Sequence, residues 1–202
     1  MTVFSRRMLL LTAASLPLAS PAFTSTPSRL GEVLETTGPG DLIRDGLRLP
    51  LAPGLALHEG DTAATGDSGL ALLLLDARTR IALGTNSHIE LASFLSEIGG
   101  TIRVGGAMVF DRPDDLPALD ARFVTAFGEI GVRGTRFFVG WSRGDYAVFV
   151  QRGQVSVSNA GVTRLLNAGE GCTMSAGVPS EVTPWGEARI DEAFASLGLS
   201  RD

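Results

Sequence analysis

The stretch TGDSGLALLLLD, residues 65–76, sets a glycine-bounded polar turn directly against a run of six apolar residues that ends at an aspartate. Gly66-Asp67-Ser68-Gly69 reads as a tight turn between strands at 61–65 and 70–75. In that reading Gly66 and Gly69 are free to take positive φ, and Asp67 and Ser68 bond the turn backbone. The tetrad LLLL at 72–75 is apolar on both faces, which a strand can be only if it is covered above and below. It is therefore expected in the middle of the fold.

Outward from this point the same punctuation repeats. Short alternating apolar and polar runs bounded by Gly, Asp, Asn or Pro predict strands at 32–35, 41–44, 80–83, 88–91, 101–104 and 107–110. More follow at 123–126, 135–141, 146–151, 154–158, 162–166 and 171–174, one about every ten residues. The segment RPDDLPALD, 112–120, has two prolines and three aspartates and reads as an exposed connection between two weakly similar halves. In the tail, Ile190, Phe194 and Leu197 are spaced as on one face of a short amphipathic helix, with Pro184 before it and Gly198 near its end. The expected fold is all-β: short antiparallel strands in two packed layers or a β-solenoid-like stack, closed at one end by a single helix near 187–197. The expected division is a leader at 1–22, a disordered spacer at 23–30, a β domain at 31–175 and a C-terminal extension at 176–202.

The leader rests on its own pattern. Ser5 is followed by the pair Arg6-Arg7, an apolar run from Met8 to Leu18, and small residues up to Ala22. This reads as an export signal of the twin-arginine class cleaved after Ala22, too short to anchor in a bilayer. Its removal would take the net charge from −5 to −7. The expected location is periplasmic or secreted, with no stable membrane anchor. All 17 basic residues are arginines, scattered through an acidic chain, which argues against a nucleic-acid groove. Cys172 has no second cysteine for an intramolecular disulfide. It reads as a small buried residue, or else as a thiol for an intermolecular bond.

Candidate chemistry is sparse. Gly-Asp-Ser-Gly also surrounds the nucleophile of trypsin-like proteases, but such an enzyme needs a histidine base and an orienting carboxylate in the order His, Asp, Ser across two barrels. His58 lies too close before Ser68 for that, and Leu70 replaces the second glycine of the usual motif. Two distant histidines and one cysteine offer no zinc spacing. Asp61, Asp67 and Asp76 read as solvated turn carboxylates, and Asp111, Asp114 and Asp115 as a solvated loop. A phosphate loop needs a lysine that the chain lacks. No catalytic residue, metal site or cofactor is expected, and the protein is read as a non-enzyme.

The order of these segments carries a resemblance. Gly60, Asp61, Thr65 and Gly66, then the signature Val132, Arg133, Gly134, Thr135, Phe137 and Val139, then Gly153 within VFVQRGQVSVSN, resemble the FecR domain over roughly residues 31–174. In that family a periplasmic domain of this kind contacts an outer-membrane receptor, a transmembrane helix follows, and a cytoplasmic segment controls a sigma factor in iron-siderophore uptake. This sequence shows neither the helix nor the cytoplasmic segment, and has Asp76-Ala77 where an Asp-Gly turn is usual. The resemblance implies an exported, non-catalytic module for protein binding and signal transduction, with an envelope protein as partner and a link to envelope or iron-transport regulation. The alternative is a structural envelope protein that binds polymer or assembles with itself.

Overall fold

The computed structural model describes residues 29–95, 99–117, 119–133, 135–174 and 177–200. Ser5, Arg6, Arg7 and Ala22 of the leader, and Gly134 of the signature, lie outside the described residues. The strands are β1 (Arg29–Thr37), β2 (Gly40–Arg44), β3 (Leu47–Pro50), β4 (Ala56–His58), β5 (Thr62–Thr65), β6 (Leu70–Leu75), β7 (Thr79–Leu83), β8 (His88–Leu95) and β9 (Gly99–Gly105). They continue with β10 (Met108–Asp111), β11 (Asp120–Thr125), β12 (Gly128–Arg133), β13 (Arg136–Ser142), β14 (Asp145–Arg152), β15 (Gln154–Asn159), β16 (Val162–Asn167), β17 (Glu170–Thr173) and β18 (Thr183–Pro184), and one helix follows, α1 (Glu187–Ala195). β1 already begins at Arg29, inside the stretch read as spacer.

The strands form two sheets of nine. One runs β18-β17-β14-β13-β10-β7-β6-β1-β4 and the other β16-β15-β12-β11-β9-β8-β5-β2-β3. From β5 onward the chain deals hairpins alternately to the two sheets, so the two-layer and stacked-hairpin expectations describe one architecture. A two-strand excursion into the opposite sheet returns the chain antiparallel to the strand it left, as at β7 and β10 or β12 and β15. β10 makes its excursion as a single strand, and β11 consequently returns parallel to β9. The 112–120 connection bridges the sheets at that point, and both sheets continue unbroken past it.

The core between the layers is built by alternation. β6 is half-buried and buried in turn, with Ala71, Leu73 and Leu75 facing inward. Phe110 and Phe137 from one sheet meet Phe123 from the other, with ring centroids 5.0–5.7 Å apart, two of the three contacts edge-on. Phe137 and Val139 share the core face and Phe138 points the opposite way, as the signature's spacing predicts.

The leucine tetrad departs from expectation. Leu72 and Leu74 on its outer face are only half-buried, and β6 is third from the end of its sheet. Strands covered on both faces include β10, β13 and β14; in β14, Val148 and Val150 face the core while Ala147 and Phe149 pack beneath α1. The helix therefore does not close an end of the stack. It lies on the outer face of the β13–β14 sheet, because Phe138 and Phe149 there leave an apolar surface that must be covered. Trp185 stacks on Phe149 with centroids 5.0 Å apart, and Phe194 and Leu197 are buried beside it. Each such side chain stabilises by about 1.5–3 kcal/mol. That packing holds a helix of nine residues, which alone would be marginal in water.

Four strands escaped the sequence reading: β3, β4, β12 and β18. In β12, Gly128 and Gly131 look like breakers, but a Cβ on Gly128 would sit 2.4 Å from the Ser158 carbonyl oxygen, so the neighbouring strand requires the glycine. The Gly66–Gly69 turn joins β5 and β6 as expected but for a different reason. Neither glycine has positive φ. Instead the Gly66 N–H donates to the Pro39 carbonyl at 2.9 Å, and a Cβ on Gly69 would lie 2.1 Å from that same oxygen. Ser68 and Asp67 bond each other at 3.4 Å rather than the turn backbone.

Candidate interaction surface

The motif residues are spread through the fold as structural fastenings. Asp61 is 1% exposed, and its two oxygens accept from Arg44 Nε at 2.7 Å and Nη2 at 2.6 Å. Its Oδ2 also accepts the His58 backbone N–H at 2.7 Å, and Arg44 Nη2 reaches the Ala56 carbonyl at 2.7 Å. This bidentate pair ties β2 to β4 and the start of β5, and the Asp61 hydrogen bond holds the guanidinium pKa above its ordinary value. Thr65 Oγ1 donates to the Gly84 carbonyl at 2.5 Å and accepts the Ser87 N–H at 3.0 Å, fixing β5 to the β7–β8 connection. Gly60 and Gly153 occupy left-handed turn positions, with φ of 85° and 82°. Arg133 ends β12, and Thr135, buried just before β13, accepts the Arg112 N–H at its carbonyl at 3.1 Å.

The carboxylates read as solvated are, with one exception, engaged. Arg112, 3% exposed, donates through Nη1 to Asp76 Oδ2 at 2.5 Å and Thr79 Oγ1 at 2.7 Å, and through Nε and Nη2 to the Pro117 carbonyl. This buried pair pins the 112–120 connection to the β6–β7 turn. Arg152 holds Asp111 at 3.0 Å and Asp114 at 2.8 Å, while Arg78 grips Asp115 through two contacts of 2.8 Å. Asp67 alone of the six stays exposed without an arginine. Sequence periodicity could not show these pairings, because each joins residues at least 17 positions apart.

No hydrolytic constellation assembles around Ser68. The exposed His88 packs its ring against Gly105, and His58 Nδ1 is buried without a hydrogen-bond partner. Among the described residues no group of three His, Cys, Asp or Glu side chains could hold a metal ion, and no helix is long and apolar enough to cross a membrane. Cys172 is buried, and burial pushes its thiol pKa up to about 11.

What the fold does present is open sheet edge. The four terminal strands are β18 with two residues, β4 with three, β3 with four and β16 with six. β3 exposes Leu47 (68%) and Leu49 (38%), which the sequence reading did not single out, but Pro50 blunts that edge. β16 has no proline. Its two-residue loop, Ala160-Gly161, makes Asn159 and Val162 the closing hydrogen-bonded pair with β15. Arg164 and Leu166 then bond β15 as well, while Thr163 and Leu165 direct their N–H and C=O groups outward. Leu165 is 55% exposed on the solvent face, and Arg164 is tied to Glu181.

The fold is similar to that of two crystal structures of a candidate anti-sigma factor from Parabacteroides distasonis ATCC 8503, at 1.65 and 2.50 Å resolution. The TM-scores are 0.51 and 0.50, with 18% and 19% identity. Each alignment covers 65% of this chain and 62% of the other, so the chain matches less than two thirds of that protein's length, and at this identity the likeness is one of fold. No curated protein matches the chain. Residues 61–156 match the family described as FecR protein, from the Asp61 clamp to the middle of β15, which bears out the FecR resemblance over that stretch.

Proposed function

We propose that this protein is an exported, non-catalytic module of a signalling or regulatory system, and that it takes up an envelope protein partner by adding a strand to β16. The observation that carries the reading is the six-residue edge of β16, with outward-facing backbone at Thr163 and Leu165 and no proline to block it. The family match and the fold shared with a candidate anti-sigma factor support a regulatory role over a catalytic one. A place in iron-uptake or envelope regulation follows from the family alone.

The test uses the chain without residues 1–22 as bait for envelope extracts, comparing wild type with Thr163→Pro. That proline removes an outward N–H which the fold does not use, so the variant should stay folded and lose capture. A folded variant that captures the same partner undiminished would reject this edge. Export is proposed from Arg6-Arg7. Replacing both arginines by lysine should stop periplasmic accumulation, and undiminished accumulation would reject the twin-arginine route.

A further inference from the structure

Among the arginines whose side chains are described, Arg80 alone makes no hydrogen bond or ion pair, and it is exposed on the outer face of the β6–β7–β10–β13 sheet. Its cross-strand neighbour Asp111 is already engaged, at 3.0 Å by Arg152 and at 3.7 Å by Arg136. With Asp114 also on Arg152, this row sets three arginines against two aspartates, an excess of one positive charge. Arg80 stands over a cleft of about 330 Å³ whose aliphatic lining is Leu72, Ala82, Val109 and Leu199. A second recess of about 160 Å³ continues from it, sharing Leu72, Ala82 and Leu199 and adding Leu70, with the exposed Glu35 in its lining at the end away from Arg80.

A cation without a partner beside an aliphatic floor is complementary to an anion with an apolar body. A guanidinium takes a carboxylate through two parallel N–H donors. The single excess charge matches a monoanion, and the Asp111 carboxylate in the same lining opposes a phosphate dianion. The cleft beside Arg80 offers no further uncommitted polar side chain, and Glu35, Thr36 and Thr37 line only the second recess, which suits an unbranched hydrocarbon better than a sugar or nucleotide. We propose that this cleft binds a medium-chain aliphatic carboxylate, its headgroup on the Arg80 guanidinium and its chain along Leu72, Ala82, Val109 and Leu199. The site is on the opposite sheet from β16 and does not depend on strand addition there.

The experiment is a nuclear magnetic resonance titration of the ¹⁵N-labelled protein with decanoate, decanol and decyl phosphate. Decanoate should shift the amides of Leu72, Ala82, Val109 and Leu199. Decanol, which lacks the charge, should bind roughly tenfold or more weakly, as should decanoate to Arg80→Gln. Because Arg80 makes no intramolecular bond, that variant should keep the wild-type fold. Unchanged affinity in Arg80→Gln, equal binding of decanol, tighter binding of decyl phosphate, or no shift at the cleft residues would each overturn the proposal.

Discussion

Replacing Arg112 by methionine tests the buried pair that pins the 112–120 connection to the β6–β7 turn. The methionine keeps much of the aliphatic stem and removes only the guanidinium. Asp76, 7% exposed at its side chain, then keeps the Thr79 backbone N–H at 3.0 Å as its remaining bond among those described, and the Pro117 carbonyl loses both of its donors. Stranding one member of a buried pair costs about 3–5 kcal/mol. For a chain of this size about 2–4 °C of melting temperature is lost per kcal/mol, so a fall of roughly 6–20 °C is expected. Adding Asp76→Asn removes the stranded charge while an asparagine still tolerates the φ of 45° found there. The double variant should therefore recover at least about 1 kcal/mol over Arg112→Met alone. Guanidinium chloride unfolding of wild type, both single variants and the double variant supplies the cycle. A loss below about 1 kcal/mol in Arg112→Met, or a double variant less stable than that single one, would refute the reasoning.

Two further outcomes follow from local geometry and burial. Ala77 sits at φ 64° next to Asp76 in the β6–β7 turn, so Ala77→Gly should stabilise by about 0.5–1 kcal/mol in the same unfolding assay, and a loss of stability would contradict a strained alanine. With its thiol pKa pushed from 9.0 to about 11, Cys172 should resist alkylation at pH 8 in the folded protein and react on unfolding; fast labelling under native conditions would contradict its burial. Because the folded-state pKa is the higher one, the unfolded chain loses the thiol proton first as pH rises above 9, and this group should lower stability progressively toward pH 11.

Period-two alternation and glycine-rich turns are local properties, and from them the sequence by itself determined that this is a protein of short strands. They placed β6, β13, β14 and β16 and set the opposed faces of Phe137 and Phe138, because a strand's side chains alternate whatever its neighbours are. The C-terminal helix was legible for the same reason, from the spacing of Ile190, Phe194 and Leu197. Its resting place was not, since the apolar face it covers comes from Phe138 and Phe149 on two separate strands. β12 was hidden because its glycines answer to the approach of β15, a contact invisible along the chain. Asp61 and Asp76 looked solvated because aspartates near turns usually are, and only the fold brought Arg44 and Arg112 against them. The same holds for the surface features that carry the functional proposals. Whether a strand such as β16 is central or terminal, and whether an arginine such as Arg80 keeps a free guanidinium, depends on which segments arrive beside it. That is decided by long-range packing, which no single stretch of sequence encodes.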